Sequence, residues 1–189
     1  MTNLSQPAPR FLICDTGLLE GFGSAGDDLW GCFWGRFGGR ARIADAVRDE
    51  IVYRINARGI DALRKVMRAR WQPAIDLTDV GAQLEIDEIR QRLRRADDPP
   101  SMHTGESATI VAARRIDGIA LIDDRDGFNV AKALGVATAQ TLDLIDIIVR
   151  EDLVDCAVLW ASWGRMRRSS RLPDAPRSRL CPPGCGRHR

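Results

Sequence analysis

The sequence contains no run of 18 apolar residues, and its first apolar run, "FLIC" at 11–14, is cut by Asp15. Neither a membrane span nor a secretory leader is supported by such a pattern, so a cytoplasmic protein with no membrane association is expected. An even cysteine set is also lacking. Cys14, Cys32, Cys156, Cys181 and Cys185 are odd in number and mostly sit among apolar neighbours, which suits reduced thiols rather than a disulfide framework. Lysine is nearly absent, with Lys65 and Lys132 the only two, and no internal repeat is visible.

A chain of 189 residues supports one compact core and is short for two ordinary domains. The formal net charge of +2 hides a division. Residues 161–189 carry eight arginines and one aspartate, about +7, which leaves about −5 for residues 1–160. A basic end can meet phosphates or an acidic partner, yet its Pro, Ser and Arg content reads first as a disordered extension. The expected organisation is one domain over 1–160 and a basic, Arg/Pro-rich tail over 161–189, disordered or partner-binding.

The apolar runs "FLIC" (11–14) and "IALI" (119–122) read as strands buried on both faces. "RARI" (40–43), "AIDL" (74–77) and "VATA" (136–139) read as further strands. Between them lie helical patterns: about 44–58, with Ala44, Val47, Ile51 and Ile55 on one face; about 79–95, capped by Asp79; from Thr104 to Ile116; about 127–134; and "LDLIDIIVRE". The Gly-rich aromatic stretch at 21–40 fits helix or loop equally. Alternating helices and strands argue for a parallel sheet covered by helices on both faces.

In such sheets ligands bind beyond the carboxyl ends of the strands, where Asp15 and Asp124 fall. Glu50 and Glu106 lie on helices that follow or precede strands and are expected at the same rim. Two carboxylates 4 Å apart repel by roughly 4 kcal/mol at an effective dielectric near 20. A divalent cation offsets that repulsion, and all-oxygen donors select Mg²⁺ or Mn²⁺ over zinc. Taken singly, each acid has a plainer role: Asp123 or Asp126 as a helix cap, Glu50 as a solvated edge residue, Glu106 as a complement to a helix dipole.

"FLICDTGLL", "ADAVRDEI", "GESATIVAAR", "LIDDRDGFNVAKALGV" and "TLDLIDIIVREDLVD", in that order over residues 11–155, resemble the motifs of PIN-domain proteins. The resemblance is to the bacterial branch with a "GE" helix and an "IDDR" strand end, which includes the toxin nucleases of toxin–antitoxin pairs. It implies an α/β class fold, a three-layer α/β/α sandwich with about five parallel strands, often dimeric. It also implies a metal-dependent endoribonuclease in which Asp15, Glu50, Glu106 and Asp124 are the catalytic acids. Asp15, Glu106 and Asp124, with Asp123 as the adjacent candidate, would hold Mg²⁺ or Mn²⁺ for in-line attack of water on RNA. A small antitoxin protein is the implied partner, and a non-catalytic PIN-fold module binding RNA or protein is the alternative.

Other patterns carry less. "GFGSAG" (21–26) fits the dinucleotide fingerprint in form, but it stands five residues after Asp15 rather than at the strand-to-helix turn. Cys181, Cys185 and His188 offer three ligand groups where a structural zinc site usually takes four. His103 reads as a loop residue rather than a catalytic base. A phosphate-accepting receiver domain would need its acidic pair after the first strand, whereas here the pair comes late. "WGCFWGRF" (30–37) has the aromatics and arginine that stack on single-stranded bases, although such residues more often fill a core.

Overall fold

The computed structural model describes residues 10–99, 102–170, 172, 174 and 177–181. Four short parallel strands form the central sheet: β1 (Leu12–Cys14), β2 (Ala41–Arg42), β3 (Ile119–Leu121) and β4 (Ala137–Ala139), in the order β2-β1-β3-β4. Leu12 is in register with Ala41 on one side and Ile119 on the other, and Ile119 with Ala137. Because β1 and β3 are buried on both faces, they appear in the sequence as unbroken apolar runs.

The sheet has one strand fewer than expected. "AIDL" forms a single parallel bridge, Ala44 with Ile75, beyond β2. The Ile75 amide donates to Ile43 O at 2.9 Å and the Asp45 amide to Ile75 O at 3.0 Å, after which the segment leaves the sheet edge.

Helices flank the sheet in an α/β/α arrangement. After β1 come α1 (Thr16–Ser24) and α2 (Asp27–Phe37), and after β2 come α3 (Asp45–Arg58), α4 (Asp61–Met67), α5 (Val80–Leu93) and α6 (Thr104–Arg115). A further helix, α7 (Arg125–Ala133), joins β3 to β4, and α8 (Thr141–Arg150), α9 (Cys156–Ser169) and α10 (Arg177–Leu180) follow among the described residues. Among the described residues no helix is long and apolar enough to cross a membrane.

The 21–40 stretch proves to be the end of α1 followed by α2, and its aromatics face inward. Phe22 stacks on Phe33 at 4.4 Å between centroids, Trp30 on Phe33 at 5.6 Å, and Trp34 meets Trp71 edge-on at 4.9 Å. Phe33 and Phe37 are fully buried, so this segment is core and not a stacking platform. Gly23 serves helix packing: a Cβ there would stand 2.5 Å from Ala62 O, so α1 meets α4 only because residue 23 has no side chain. "GFGSAG" therefore lies along α1 and its end, away from any strand-to-helix turn.

The boundary drawn at residue 160 falls inside α9. Beyond it Leu172 and Leu180 are buried, and Arg179 pairs with Asp146 on α8, so these parts of the basic end pack on the domain. Cys14, Cys32, Cys156 and Cys181 are not joined in disulfides. Cys185 and His188, the other members of the possible ligand cluster, lie outside the described residues.

Candidate active site

The chain leaves β1 toward β2 on one side and later returns to β3 on the other, so the topological switch point lies at the carboxyl ends of β1 and β3. Asp15 follows β1 directly, and its amide continues the ladder by donating to Leu121 O at 3.2 Å. Its side chain caps α1, with Oδ2 accepting from the Gly17 amide at 3.0 Å. Asp124, three residues beyond Leu121 at the end of β3, caps α7 through Oδ1, which accepts from the amides of Asp126 and Gly127. Each acid is thus held in place by the helix it starts.

Glu50 and Glu106 reach the same rim. A Cβ built on Gly105 would lie 2.3 Å from Glu50 Oε2 and 3.5 Å from Asp15 Oδ1, so these two carboxylates meet across the bare backbone of Gly105. A Cβ on Gly127, in the turn that Asp124 caps, would lie 3.7 Å from Glu106 Oε2. Glu106 therefore sits between the start of α7 and the Asp15–Glu50 pair.

The electrostatics follow from this crowding. Burial, then the charges of Glu106 and Glu50, push the Asp15 carboxyl up to about 7, against opposing hydrogen bonds from the Gly17 and Thr16 amides. Burial also raises Glu106, helped by Asp124 and Glu50 and opposed by His103. Two of the acids have a basic partner of their own. Arg54 stands 2.6 Å from Glu50 Oε1 and 3.0 Å from Glu20 Oε2, while the Thr16 hydroxyl donates to Glu50 Oε2 at 3.0 Å. His103 Nδ1 lies 2.8 Å from Glu106 Oε2, and its Nε2 lies 3.1 Å from Asp98 Oδ2. Burial pulls the imidazole down, but its hydrogen bonds to Glu106 and Asp98 outweigh that and raise it. Among the described residues no cation is paired with Asp15.

The aspartates of "IDDRD" point three ways. Asp124 belongs to the cluster. Asp123 turns to the start of α8, where its oxygens accept from the Thr141 amide at 2.7 Å and the Thr141 hydroxyl at 2.6 Å. Its carboxyl is raised by burial against those hydrogen bonds, and the acid acting on it is Asp143, with no influence from Asp15 or Glu106. Asp126 pairs with the exposed Arg95. The caps after the strands are thus Asp15 and Asp124, where the sequence suggested Asp123 or Asp126.

Sequence reasoning missed Thr16, Gly105, Arg54 and the bridging role of His103. His103 is three residues before Glu106, a spacing that brings side chains together at a helix start, and this was the available signal. A groove of about 420 Å³ lies at the other end of the sheet between Arg10, Arg114, Lys132 and the start of β4, remote from the acids.

A family model described as a PIN domain matches residues 12–159. The chain belongs to the PIN-domain family. The PIN domain is a nuclease-type fold, which assigns hydrolase chemistry at that coarse level, and PIN nucleases usually use divalent metals. The chain has no significant match among curated proteins or solved structures.

Among the described residues no three His, Cys, Asp or Glu side chains already surround a common point as a metal would require. The chemistry of this PIN site nevertheless fits a hard divalent cation. Its donors at the rim are carboxylate oxygens, and among the described residues Asp15 has no paired cation.

Proposed function

We propose that this PIN domain is a Mg²⁺- or Mn²⁺-dependent endoribonuclease. The observation that carries the reading is Asp15, a half-buried carboxylate at the switch point that Glu50 and Glu106 crowd and that no side-chain cation among the described residues pairs with. Repulsion of this kind is stable around an ion and costly without one.

Asp15, Glu106 and Asp124 would hold the ion, with Glu50 completing the acidic face. When bound, such an ion supplies a Lewis acid toward the scissile phosphate and acidifies a water. The chain's own contribution is placement. The starts of α1 and α7 fix Asp15 and Asp124, the missing side chain of Gly105 admits Glu50, and Arg54 with Thr16 holds Glu50 in position.

Purified protein is expected to cleave single-stranded RNA with Mg²⁺ or Mn²⁺, and Asp15→Asn or Glu106→Gln to abolish cleavage while circular dichroism stays unchanged. RNA left intact by folded wild-type protein would favour a non-catalytic PIN module.

The toxin role is proposed on the family resemblance: a small neighbouring antitoxin that inserts into the acidic groove and places an arginine among the carboxylates, and a homodimer as the assembled form. Expression alone is expected to arrest growth and co-expression of the neighbouring gene to relieve it. Normal growth with soluble, active protein would count against it.

A further inference from the structure

We propose that His103 is a positioning residue: anchored by Asp98, it fixes the Glu106 carboxylate within the acidic cluster and so sets the affinity of that cluster for a divalent ion. The inference rests on the metal-dependent reading of the site.

Three observations carry it. Both ring nitrogens face carboxylate oxygens, Nδ1 toward Glu106 and Nε2 toward Asp98, and Asp98 Oδ2 also accepts the Arg95 amide at 2.8 Å. A continuous set of contacts therefore runs from the loop after α5 to Glu106. All three side chains are largely buried, at 16% to 18% exposure, so the contacts are not surface pairs that water loosens.

His103 also adopts the left-handed conformation, with φ at 65°, which sterically disfavours a residue with a side chain. It stands at the N-cap of α6 yet its side chain makes no capping bond, a place where Ser, Thr, Asp or Asn would serve the helix better. Helix stability alone does not explain the residue. Its imidazole is spent on Glu106, which Asp124 and Glu50 repel. Partners of ligating carboxylates that hold their orientation commonly contribute to metal affinity.

The test is His103→Asn in the full chain. Asn tolerates the left-handed backbone and is a good N-cap, so the variant is expected to melt at or above the wild-type temperature. Asn is too short to span both carboxylates, so Mn²⁺ binding by calorimetry is expected to weaken about 10-fold or more. Asp98→Asn is expected to weaken it in the same direction. In wild-type protein, Mg²⁺ titration is expected to shift the His103 imidazole ¹⁵N resonances, and in Glu106→Gln to leave them in place. Unchanged Mn²⁺ affinity in His103→Asn, with wild-type binding intact and lost in Glu106→Gln, overturns the positioning role alone. Wild-type protein that binds no Mn²⁺ removes the metal-dependent reading and this inference with it.

Discussion

Gly105 and Glu50 occupy one another's space: the position a Cβ on residue 105 would take is 2.3 Å from Glu50 Oε2. Gly105 lies at the start of α6, where Ala is the better helix former by about 1 kcal/mol, so Gly is retained against helix propensity. Gly105→Ala is expected to leave the fold intact, because the clashing atom is the end of a flexible side chain. It must nevertheless drive Glu50 out of the cluster. A displacement near 1 Å at a catalytic group costs about 100-fold in rate. RNA cleavage measured beside a thermal melt checks this; a Gly105→Ala enzyme as fast as wild type would show that Glu50 is no working part of the site.

Asp15 gives the metal-free protein a pH dependence of definite sign. Its carboxyl titrates near 3.8 when unperturbed and at about 7 in the fold, so over that interval the folded state holds a proton that the unfolded chain has released. Stability contributed by this group is complete below the lower value and is lost as pH rises through the upper one. Glu106, Asp123 and His103 are also raised, and each acts in the same direction. The metal-free protein is therefore expected to melt at a higher temperature at pH 5 than at pH 8. Asp15→Asn is expected to flatten the dependence and raise the pH 8 value. Mg²⁺ is expected to stabilise wild-type protein at pH 8 by mass action, and Asp15→Asn to show little such gain. Equal melting temperatures of wild type and Asp15→Asn at pH 8 would contradict the crowding at this carboxylate.

Adjacent aspartates are expected to fail in opposite ways. Asp123→Ala leaves the Thr141 amide and hydroxyl without their acceptor in a buried place, a loss of about 1–3 kcal/mol of stability, while Mn²⁺ affinity of the folded fraction stays near wild type. Asp124→Asn keeps an oxygen to cap α7 and loses little stability, but removes a charge from the cluster and with it most of the Mn²⁺ affinity. Denaturant melts paired with calorimetry separate the two. The reverse pattern would place the ligand one residue earlier.

Much of this was legible for a physical reason. Parallel strands buried on both faces show as unbroken apolar runs, so β1 and β3 stood out, and the acids that follow them fell where a switch point collects ligands. Helix α6 was placed correctly at its start, Thr104, while its end, expected at Ile116, falls at Arg115. Which of Asp123 and Asp124 faces the site was not legible, because successive side chains at a strand end point opposite ways and the sequence does not say where β3 stops. "AIDL" has strand composition but is kept from pairing further once the Asp45 carboxylate takes the Leu77 amide at 3.1 Å. The bridging role of His103 was not legible because its reach to Glu106 depends on a left-handed backbone that residues with a side chain seldom adopt.

The basic end of the chain offers the remaining prediction. Arginine and proline around Leu172 and Leu180 gave the segment a disordered composition, yet both leucines are buried and Leu180 is wholly inaccessible. In α10, Leu180 stands beside Arg179, whose guanidinium pairs with Asp146 on α8. A segment docked only by exposed charge would lose little on leucine truncation, since surface ion pairs contribute about 0–1 kcal/mol. A leucine in the core leaves a cavity on truncation, and Leu180→Ala is expected to cost about 2–5 kcal/mol in a denaturant melt. Arg179→Ala, by the same reasoning, is expected to cost well under half of that. If Leu180→Ala and Arg179→Ala destabilise equally little, the docking of α10 contributes nothing to the core, and the end of the chain behaves as the composition alone suggested.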